Sequence, residues 1–248
     1  MEGNAFVTGA DRGLGFALAE RLLDRGWRVF AGRYLPDWPA LGALAGRYEG
    51  RLHVVPLDVT DDASVQKAAD AVARVTDRVD LLINNAGVIS PTLERSIGEP
   101  QDDAEMRRLY DVNAVGPLRV VQSFLPLTDR SALKRLCFVS SEAGSINRCE
   151  RTAWYGYCMS KAALNMGVAI LHNLLRAEGY TFRVYHPGWM RTYMRGTKAT
   201  EGDMEPEEAA VPALAYFVRD LAEDQQASTR HGADRLVMRD YLGREWPW

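Results

Sequence analysis

Hydrophobic residues along the 248-residue chain form short apolar runs that alternate with longer stretches of helical period. The first run is NAFVTG at 4–9, and the stretch at 14–26 repeats leucine at helical spacing before it stops at Gly26. Further strands are predicted at 27–32, 52–59, 81–87, 135–141, 182–188 and 235–240. Further helices are predicted near 38–47, 62–75, 102–124, 159–177 and 206–222.

The alternation of strands and helices predicts the fold class. Strands that are apolar on both faces and separated by helices indicate a parallel sheet with helices on both faces. We therefore predict an α/β fold, a doubly wound parallel sheet of about seven strands, as a single domain over residues 1–248. The least regular segments, 88–101 and 189–205, each follow a strand end, where open α/β sheets bind ligands.

Composition and charge argue against several classes of function. The formal net charge is −3 and the pI is near 5.9, with cationic residues scattered along the chain, so we expect no nucleic-acid partner and no membrane-binding patch. The chain has no apolar run of membrane-spanning length and no signal-peptide pattern at its start, which predicts a cytoplasmic protein. Cys137, Cys149 and Cys158 form no CxxC pair or Cys/His cluster, which favours reduced thiols and no metal site.

The segment TGADRGLG at 8–15 joins the first predicted strand to the first helix. Its glycines, Gly9, Gly13 and Gly15, are spaced G-x3-G-x-G, which differs from the G-x-G-x-x-G fingerprint. The physical basis is similar, because glycine permits a tight turn close to a pyrophosphate and a helix N-terminus attracts anions. An ordinary strand-to-helix turn can use the same residues, so the segment alone leaves both interpretations open.

This turn resembles the T-G-x-x-x-G-x-G turn of the short-chain dehydrogenase/reductase family, in its ordinary branch of about 250 residues. The resemblance continues in order through DV (58–59), NNAG (84–87), DVN (111–113), VSSEAG (139–144), YCMSK (157–161) and HPGWMRT (186–192). It covers nearly the whole chain and implies a Rossmann-like fold and an NAD(P)(H)-dependent oxidoreductase. The cofactor-binding residues that it implies, together with two arginines discussed next, are Gly9, Arg12, Gly13, Leu14, Gly15, Arg33, Asp58, Val59, Asn85, Ala86, Gly87, Tyr157, Lys161, Pro187, Gly188, Met190 and Thr192.

The residues after the second strand bear on the choice of nicotinamide cofactor. In many dinucleotide-binding folds an acid at this position binds the ribose 2′-hydroxyl. Here the strand ends at Arg33, no carboxylate follows before Asp37, and Arg12 adds a second cation from the glycine turn. Guanidinium groups bind phosphate well, so we predict NADP(H) in preference to NAD(H). The alternative is that both arginines are solvated surface residues.

Tyr157 and Lys161 carry the chemistry that the sequence predicts most directly. Reduction of a carbonyl needs a proton at oxygen, and a nearby cation lowers the pKa of a tyrosine from its usual value of about 10. Lys161 lies four residues after Tyr157 and therefore one helical turn away, whereas Tyr155 lies six residues from it. The spacing favours Tyr157 over Tyr155, although a surface pair with this spacing is also common.

The family resemblance implies a role for each catalytic residue. Tyr157 donates the proton, while Lys161 lowers its pKa and holds the nicotinamide ribose. Ser141 binds the substrate oxygen, with Ser140 as a competitor for the same role. Asn113 binds a water that links Lys161 to solvent, unless it only bends or caps its helix.

Substrate choice is expected to lie in two loops, near 142–155 and 189–205. The long Ser141-to-Tyr157 interval and the chain end resemble the branch of C-factor-like and sniffer-like carbonyl reductases. The candidate pocket residues are Glu142, Ile146, Trp154, Tyr155, Trp189, Met190, Tyr193 and Met194. They are mostly bulky and apolar, which predicts a hydrophobic ketone or aldehyde. The polar segment 195–208 is a candidate lid over the site.

These observations leave three hypotheses for function. The first is an NADPH-dependent carbonyl reductase, and the second is an NAD(P)-dependent alcohol dehydrogenase that works oxidatively. The third is a non-catalytic nucleotide-binding regulatory protein, which the presence of Tyr157 and Lys161 disfavours. The helices near 102–124 and 159–177 resemble the pair through which the family associates, which implies a homodimer or homotetramer.

Overall fold

The computed structural model describes residues 3–219 and 235–248, which form eight strands and seven α-helices. The strands are β1 (Asn4–Val7), β2 (Arg28–Arg33), β3 (Leu52–Pro56), β4 (Leu81–Asn84), β5 (Arg135–Val139), β6 (Thr181–His186), β7 (Met238–Asp240) and β8 (Glu245–Trp246). The helices are α1 (Gly13–Asp24), α2 (Ala40–Arg47), α3 (Asp62–Ala73), α4 (Asp103–Tyr110), α5 (Gly116–Thr128), α6 (Tyr155–Leu175) and α7 (Pro206–Val218). A π-helical turn covers Asp111–Val115, and short 3₁₀ turns cover Glu142–Gly144 and Arg176–Glu178.

The strands form one sheet in the order β3-β2-β1-β4-β5-β6-β7-β8. Every neighbouring pair is parallel except β7 and β8. The chain begins in the middle at β1, runs outward to β3 and crosses back to β4. The strand order therefore reverses between the carboxyl ends of β1 and β4, which is where open sheets of this kind bind ligands.

The predicted fold class is confirmed, with one strand more than the expected seven. The additional strand is β8, which pairs antiparallel with β7. It forms because the chain reverses after Asp240 through a turn in which Gly243 has a left-handed backbone (φ +78°). A two-residue strand carries too little hydrophobic alternation to be predicted from sequence.

Helices cover both faces of the sheet and bury two apolar layers. One layer contains Leu18 of α1 and Leu214 of α7, and the other contains Val72 of α3, Phe124 of α5 and Val168 of α6. Burial on both faces explains why the strands read as continuous apolar runs. Within residues 3–219 and 235–248, no helix combines the length and hydrophobicity needed to cross a membrane.

Two predicted helices have different bounds in the structure. The helix predicted near 102–124 is interrupted by the Asp111–Val115 turn, and the helix predicted near 159–177 already begins at Tyr155. A π turn inserts an extra residue and leaves the hydrophobic period almost unchanged, so the pattern does not reveal it. The helix predicted at 206–222 ends at Val218, and residues 220–222 lie outside the described residues.

Candidate active site

The glycine turn packs tightly against the carboxyl end of β4. A Cβ on Gly9 would lie 2.9 Å from the Cα of Ala86, and one on Gly15 would lie 2.2 Å from the carbonyl oxygen of Gly9. Asn85 donates from its side-chain amide to the carbonyls of Thr8 and Gly9, at 3.0 and 3.1 Å. The hydroxyl of Thr8 in turn accepts the backbone N–H groups of Asn85 and Ala86. Residues with side chains would not fit this cradle.

The N-terminus of α1 is left available for an anion. Its flanking residue, Arg12, lays its guanidinium over the rings of Trp38 and Tyr193, 5.0 and 5.4 Å from their centroids, and does not cap the helix. By contrast, Asp61 caps α3 with its carboxylate. The open first turn of α1 presents N–H groups and the positive end of the helix dipole, and Gly13 leaves room beside it. These features fit a dinucleotide pyrophosphate.

The corner beyond β2 is lined by cations. Arg33 ends the strand, and Arg12 lies over Trp38, five residues further along the chain; both arginines are partly exposed. Asp11, a buried residue that the sequence reasoning missed, accepts the backbone N–H groups of Tyr34 and Leu35 at 3.0 and 2.9 Å. Its carboxylate therefore secures the chain after β2. The one sequence feature that points to Asp11 is its position directly before Arg12 in the glycine turn.

Tyr157 and Lys161 lie one turn apart on α6, both buried. The ammonium nitrogen of Lys161 lies 5.9 Å from the centre of the Tyr157 ring and donates to the carbonyl of Val139 at 3.1 Å. The Ser141 hydroxyl lies near enough to the Tyr157 hydroxyl to lower the pKa of that phenol. Tyr155, the competing tyrosine, turns away and donates its hydroxyl to the carbonyl of Thr152 at 3.3 Å.

Burial dominates the protonation of this pair. It raises the pKa of Tyr157 to about 12, while the nearby Ser141 hydroxyl acts to lower it. Burial likewise lowers the pKa of Lys161 to about 8. The phenol is therefore protonated at neutral pH, as a proton donor must be. A lowering of the tyrosine pKa by Lys161 stays a prediction.

The structure distinguishes the two adjacent serines. Ser140 donates its hydroxyl to the side-chain oxygen of Asn165 at 2.6 Å, so it points away from Tyr157. Asn165 also donates to the carbonyl of Gly144 at 3.1 Å and so connects α6 to the loop after β5. The sequence reasoning missed Asn165. The available signal was its position four residues beyond Lys161, on the same face of α6.

Asn113 is fully buried inside the π turn. Its side chain accepts the N–H of Val88 at 2.8 Å and donates to the carbonyl of Val88 at 2.9 Å and to the hydroxyl of Ser160 at 3.0 Å. A Cβ on Gly87 would lie 3.4 Å from the Asn113 oxygen and 3.6 Å from the Lys161 nitrogen. Asn113 thus holds the chain after β4 beside Lys161, and its binding of a water stays a prediction.

The remaining predicted cofactor residues lie around the same sheet edge. Asp58 accepts from the backbone and hydroxyl of Thr60, and the side chain of Val59 packs against Gly116. Gly188 has a left-handed backbone (φ +82°), and Thr192 lies within 4.0 Å of the position of a Gly13 Cβ. The segment after β6 therefore returns to the glycine turn. Leu14 and Pro187 are buried, and the backbone of Met190 pairs with that of Met204 in an isolated β-bridge.

The predicted substrate residues lie in different environments. Ile146 and Trp189 are 79% and 58% exposed, and Met194 is also exposed, so these side chains are open to solvent. Glu142 and Trp154 instead make close contacts around Tyr157, described below. Tyr193 packs edge-on against Trp38, with ring centres 5.1 Å apart, and so lies at the corner beyond β2. The positions of these residues in the sequence do not indicate which environment each side chain occupies.

Comparisons with known proteins agree with this geometry. The family model for short chain dehydrogenases matches residues 3–203. C-signal of Myxococcus xanthus is 38% identical over 173 residues, which are 70% of this chain and 95% of that protein. An NADPH-bound carbonyl reductase from chicken fatty liver, 28% identical, covers 99% of this chain and 98% of its own with a TM-score of 0.82.

A further solved structure shows the same fold at lower identity. Carbonyl reductase Sniffer of D. melanogaster is 22% identical, with a TM-score of 0.85 over 100% of both chains. The matches to C-signal and to carbonyl reductases confirm the predicted family and its branch.

Proposed function

The chain belongs to the short-chain dehydrogenase family of NAD(P)-dependent oxidoreductases, and from this we propose that it reduces a carbonyl to an alcohol with NADPH. The observation that carries the proposal is the buried constellation of Tyr157, Lys161 and Ser141 at the carboxyl edge of the sheet. Carbonyl reduction requires groups of this kind: a proton donor, a cation one helical turn from it and a second hydroxyl beside it.

The proposed mechanism assigns one task to each side chain. NADPH, when bound, supplies the hydride. Tyr157 donates its phenolic proton to the substrate oxygen, and Ser141 donates a hydrogen bond to the same oxygen. Lys161, held by the carbonyl of Val139, stabilises the phenolate that remains after the proton leaves. Asn113 keeps the loop after β4 in place beside Lys161.

The preference for NADPH over NADH rests on the corner beyond β2. Arg12 and Arg33 can bind the additional phosphate, and the nearby Asp11 carboxylate is occupied by two backbone N–H groups. The chicken carbonyl reductase that this chain resembles was crystallised with NADPH. The test is the KM for NADPH and NADH with one substrate, before and after Arg12→Ala. We expect a lower KM for NADPH and a loss of that advantage in the variant. A lower KM for NADH in the wild type would reject the assignment.

Cofactor oxidation over a panel of ketones and aldehydes tests the reaction itself. Exposed apolar side chains in the two predicted substrate loops, Ile146 and Trp189 among them, favour hydrophobic carbonyls. A panel of alcohols with NADP⁺ tests the oxidative alternative. Binding of NADPH without turnover on either panel would favour the non-catalytic alternative.

We also propose a cytoplasmic homo-oligomer, a homodimer or homotetramer. The supporting observation is an apolar face on α6, where Met166, Ile170 and Leu174 are exposed at helical spacing beside Leu118 of α5. Such a face is usually covered in an assembly. Light scattering of the wild type and of Ile170→Glu tests the association.

A further inference from the structure

Trp154 has an unusual backbone conformation for a large side chain. The residue directly before α6 lies in the left-handed region, with φ 70° and ψ 26°. This region favours glycine and strains other residues, and such strain is characteristic of functional sites. Trp154 lies three residues before Tyr157, so its conformation sets the start of the helix that carries the proton donor.

Four contacts hold Trp154 in this conformation. Its backbone N–H donates to the carbonyl of Leu93 at 3.0 Å, and its indole N–H donates to Glu94 at 3.0 Å. The guanidinium of Arg151 lies over the indole, 4.6 Å from the ring centre. The indole meets the Tyr157 ring edge-on, with centres 6.2 Å apart and planes at 75°. The side chain is thus fixed from three directions.

The contacts around Trp154 close into a ring that includes the catalytic hydroxyls. Arg151 forms a bidentate ion pair with Glu142, at 2.6 and 2.8 Å. Glu142 directly follows Ser141, whose hydroxyl is near enough to Tyr157 to lower the pKa of that phenol. The path therefore runs from Tyr157 through Trp154, Arg151 and Glu142 to Ser141 and back to Tyr157.

We propose that Trp154 is a positioning residue that, braced by the Arg151–Glu142 ion pair, holds the hydroxyls of Tyr157 and Ser141 together. This inference rests on the proposed function and refines it. It removes Trp154 and Glu142 from the wall of the substrate pocket. Trp154 and Glu142 both contact Arg151, whereas Trp189 and Ile146 are exposed.

The ion pair also acts electrostatically on the proton donor. The charge of Glu142 raises the pKa of Tyr157, and the charge of Arg151 lowers it. The other ionisable groups that face Tyr157 are Lys161 and Cys158 on its own helix. Variants of the ion pair leave both of these groups in place, so the shifts that they cause can be assigned to the pair.

Trp154→Gly is the primary test because glycine adopts the left-handed backbone without strain. The variant is therefore expected to fold, which Trp154→Ala does not guarantee. We expect kcat to fall about 100-fold, as misplacement by about 1 Å does in other enzymes, with the KM for a small carbonyl unchanged. Trp154→Phe keeps a ring on Tyr157 and should lose less than about tenfold. A large rise in KM with kcat retained would overturn the proposal and return Trp154 to the pocket wall.

The ion pair is tested by the pH profile of kcat. Arg151→Met should move the alkaline limb to higher pH, because loss of its charge raises the pKa of Tyr157. Glu142→Gln should move the limb to lower pH for the opposite reason. Arg108→Met is the matched control, because it breaks a bidentate ion pair with Glu105 (2.7 and 2.7 Å) on α4. If the alkaline limb moves in the same direction in Arg151→Met and Glu142→Gln, the proposed electrostatic effect of the ion pair is wrong. An equal shift of the limb in Arg108→Met would also overturn it.

Crystal structures of the wild type and Trp154→Gly separate this inference from the proposed function. We expect the Tyr157 and Ser141 hydroxyls to lie further apart in the variant than in the wild type. This readout does not depend on turnover, so an inactive wild type with displaced hydroxyls in the variant would reject only the proposed function. Unchanged hydroxyl positions in Trp154→Gly would reject the positioning role even if the wild type is active.

Discussion

The floor of the site and its rim are held by different kinds of contact. The floor, formed by Ser140, Ser141, Lys161 and Asn165, is buried, and its polar groups bond to backbone and to each other. The rim, formed by residues 88–101 and 189–205, is mostly exposed and includes ion pairs at the surface, such as Arg195 with Glu94 at 3.9 Å.

This difference has an energetic consequence. Breaking a buried hydrogen bond typically costs about 1–3 kcal/mol, whereas an exposed ion pair contributes about 0–1 kcal/mol. The floor therefore fixes the reaction geometry firmly. The rim can change sequence and conformation at little cost, and that substrate choice lies there stays a prediction.

Tyr157→Phe should have the largest effect on the floor. Loss of the proton donor is expected to lower kcat by about 10²–10⁴-fold, because the variant keeps the ring and removes only the hydroxyl. The Kd for NADPH, measured by fluorescence, should stay nearly unchanged. Tyr155→Phe is the matched control and should retain activity. Near-normal turnover in Tyr157→Phe with loss in Tyr155→Phe would show that the assignment is reversed.

Asn165→Ala should destabilise the protein by about 2–4 kcal/mol, because it leaves the Ser140 hydroxyl and the Gly144 carbonyl without their partner. Denaturant unfolding measures this change. Asn147→Ala removes the same amide from an exposed position in the loop 142–155 and should change the unfolding free energy by less than about 0.5 kcal/mol. Equal effects in the two variants would show that the buried hydrogen bonds of Asn165 are not the cause of the loss.

Lys161→Met should lose turnover and NADPH affinity but gain stability at neutral pH. Burial lowers the pKa of Lys161 from 10.5 to about 8, so the buried charge opposes folding wherever both states are protonated, which is below pH 8. The variant should be more stable at pH 7 by about 1–3 kcal/mol, after allowance for the lost bond to Val139.

The destabilising effect of the buried Lys161 charge disappears as the pH rises and the lysine of the unfolded chain also loses its proton. The stability advantage of Lys161→Met should therefore shrink between pH 8 and 10.5. Unfolding curves at several pH values measure it. An advantage that is constant with pH would mean that the charge of Lys161 is not its cause.

Arg195→Ala should have the smallest effect. Arg195 and Glu94 are 61% and 72% exposed in their side chains, so the unfolding free energy should change by less than about 1 kcal/mol. Thermal unfolding gives the comparison with Asn165→Ala. A loss as large as that of the buried variant would mean that the rim is fixed as firmly as the floor.

Sequence reasoning succeeded where the information is local. The apolar runs predicted seven of the strands and the doubly wound arrangement, because strand and helix periods are read from near neighbours. The choice of Tyr157 over Tyr155 followed from four-residue spacing to Lys161, and the structure places the two side chains one turn apart on α6. Their catalytic roles remain proposals.

It failed where distant residues decide the outcome. Nothing local distinguishes Ser140 from Ser141, because the difference lies in Asn165, 25 positions from Ser140. The π turn depends on bonds from Asn113 to Val88, also 25 positions apart. Tyr193 lies at the corner beyond β2 because its ring packs against Trp38 and Arg12.

The sequence by itself determined the fold class, the family and the order of the reactive groups along the chain. These follow from hydrophobic period and from motifs a few residues long. Only the tertiary structure decided how the groups are held, including the ring of contacts from Tyr157 through Trp154 and Arg151 to Ser141. The physical reason is that burial, charge and hydrogen bonding act between neighbours in space, and folding brings these neighbours together from separate segments.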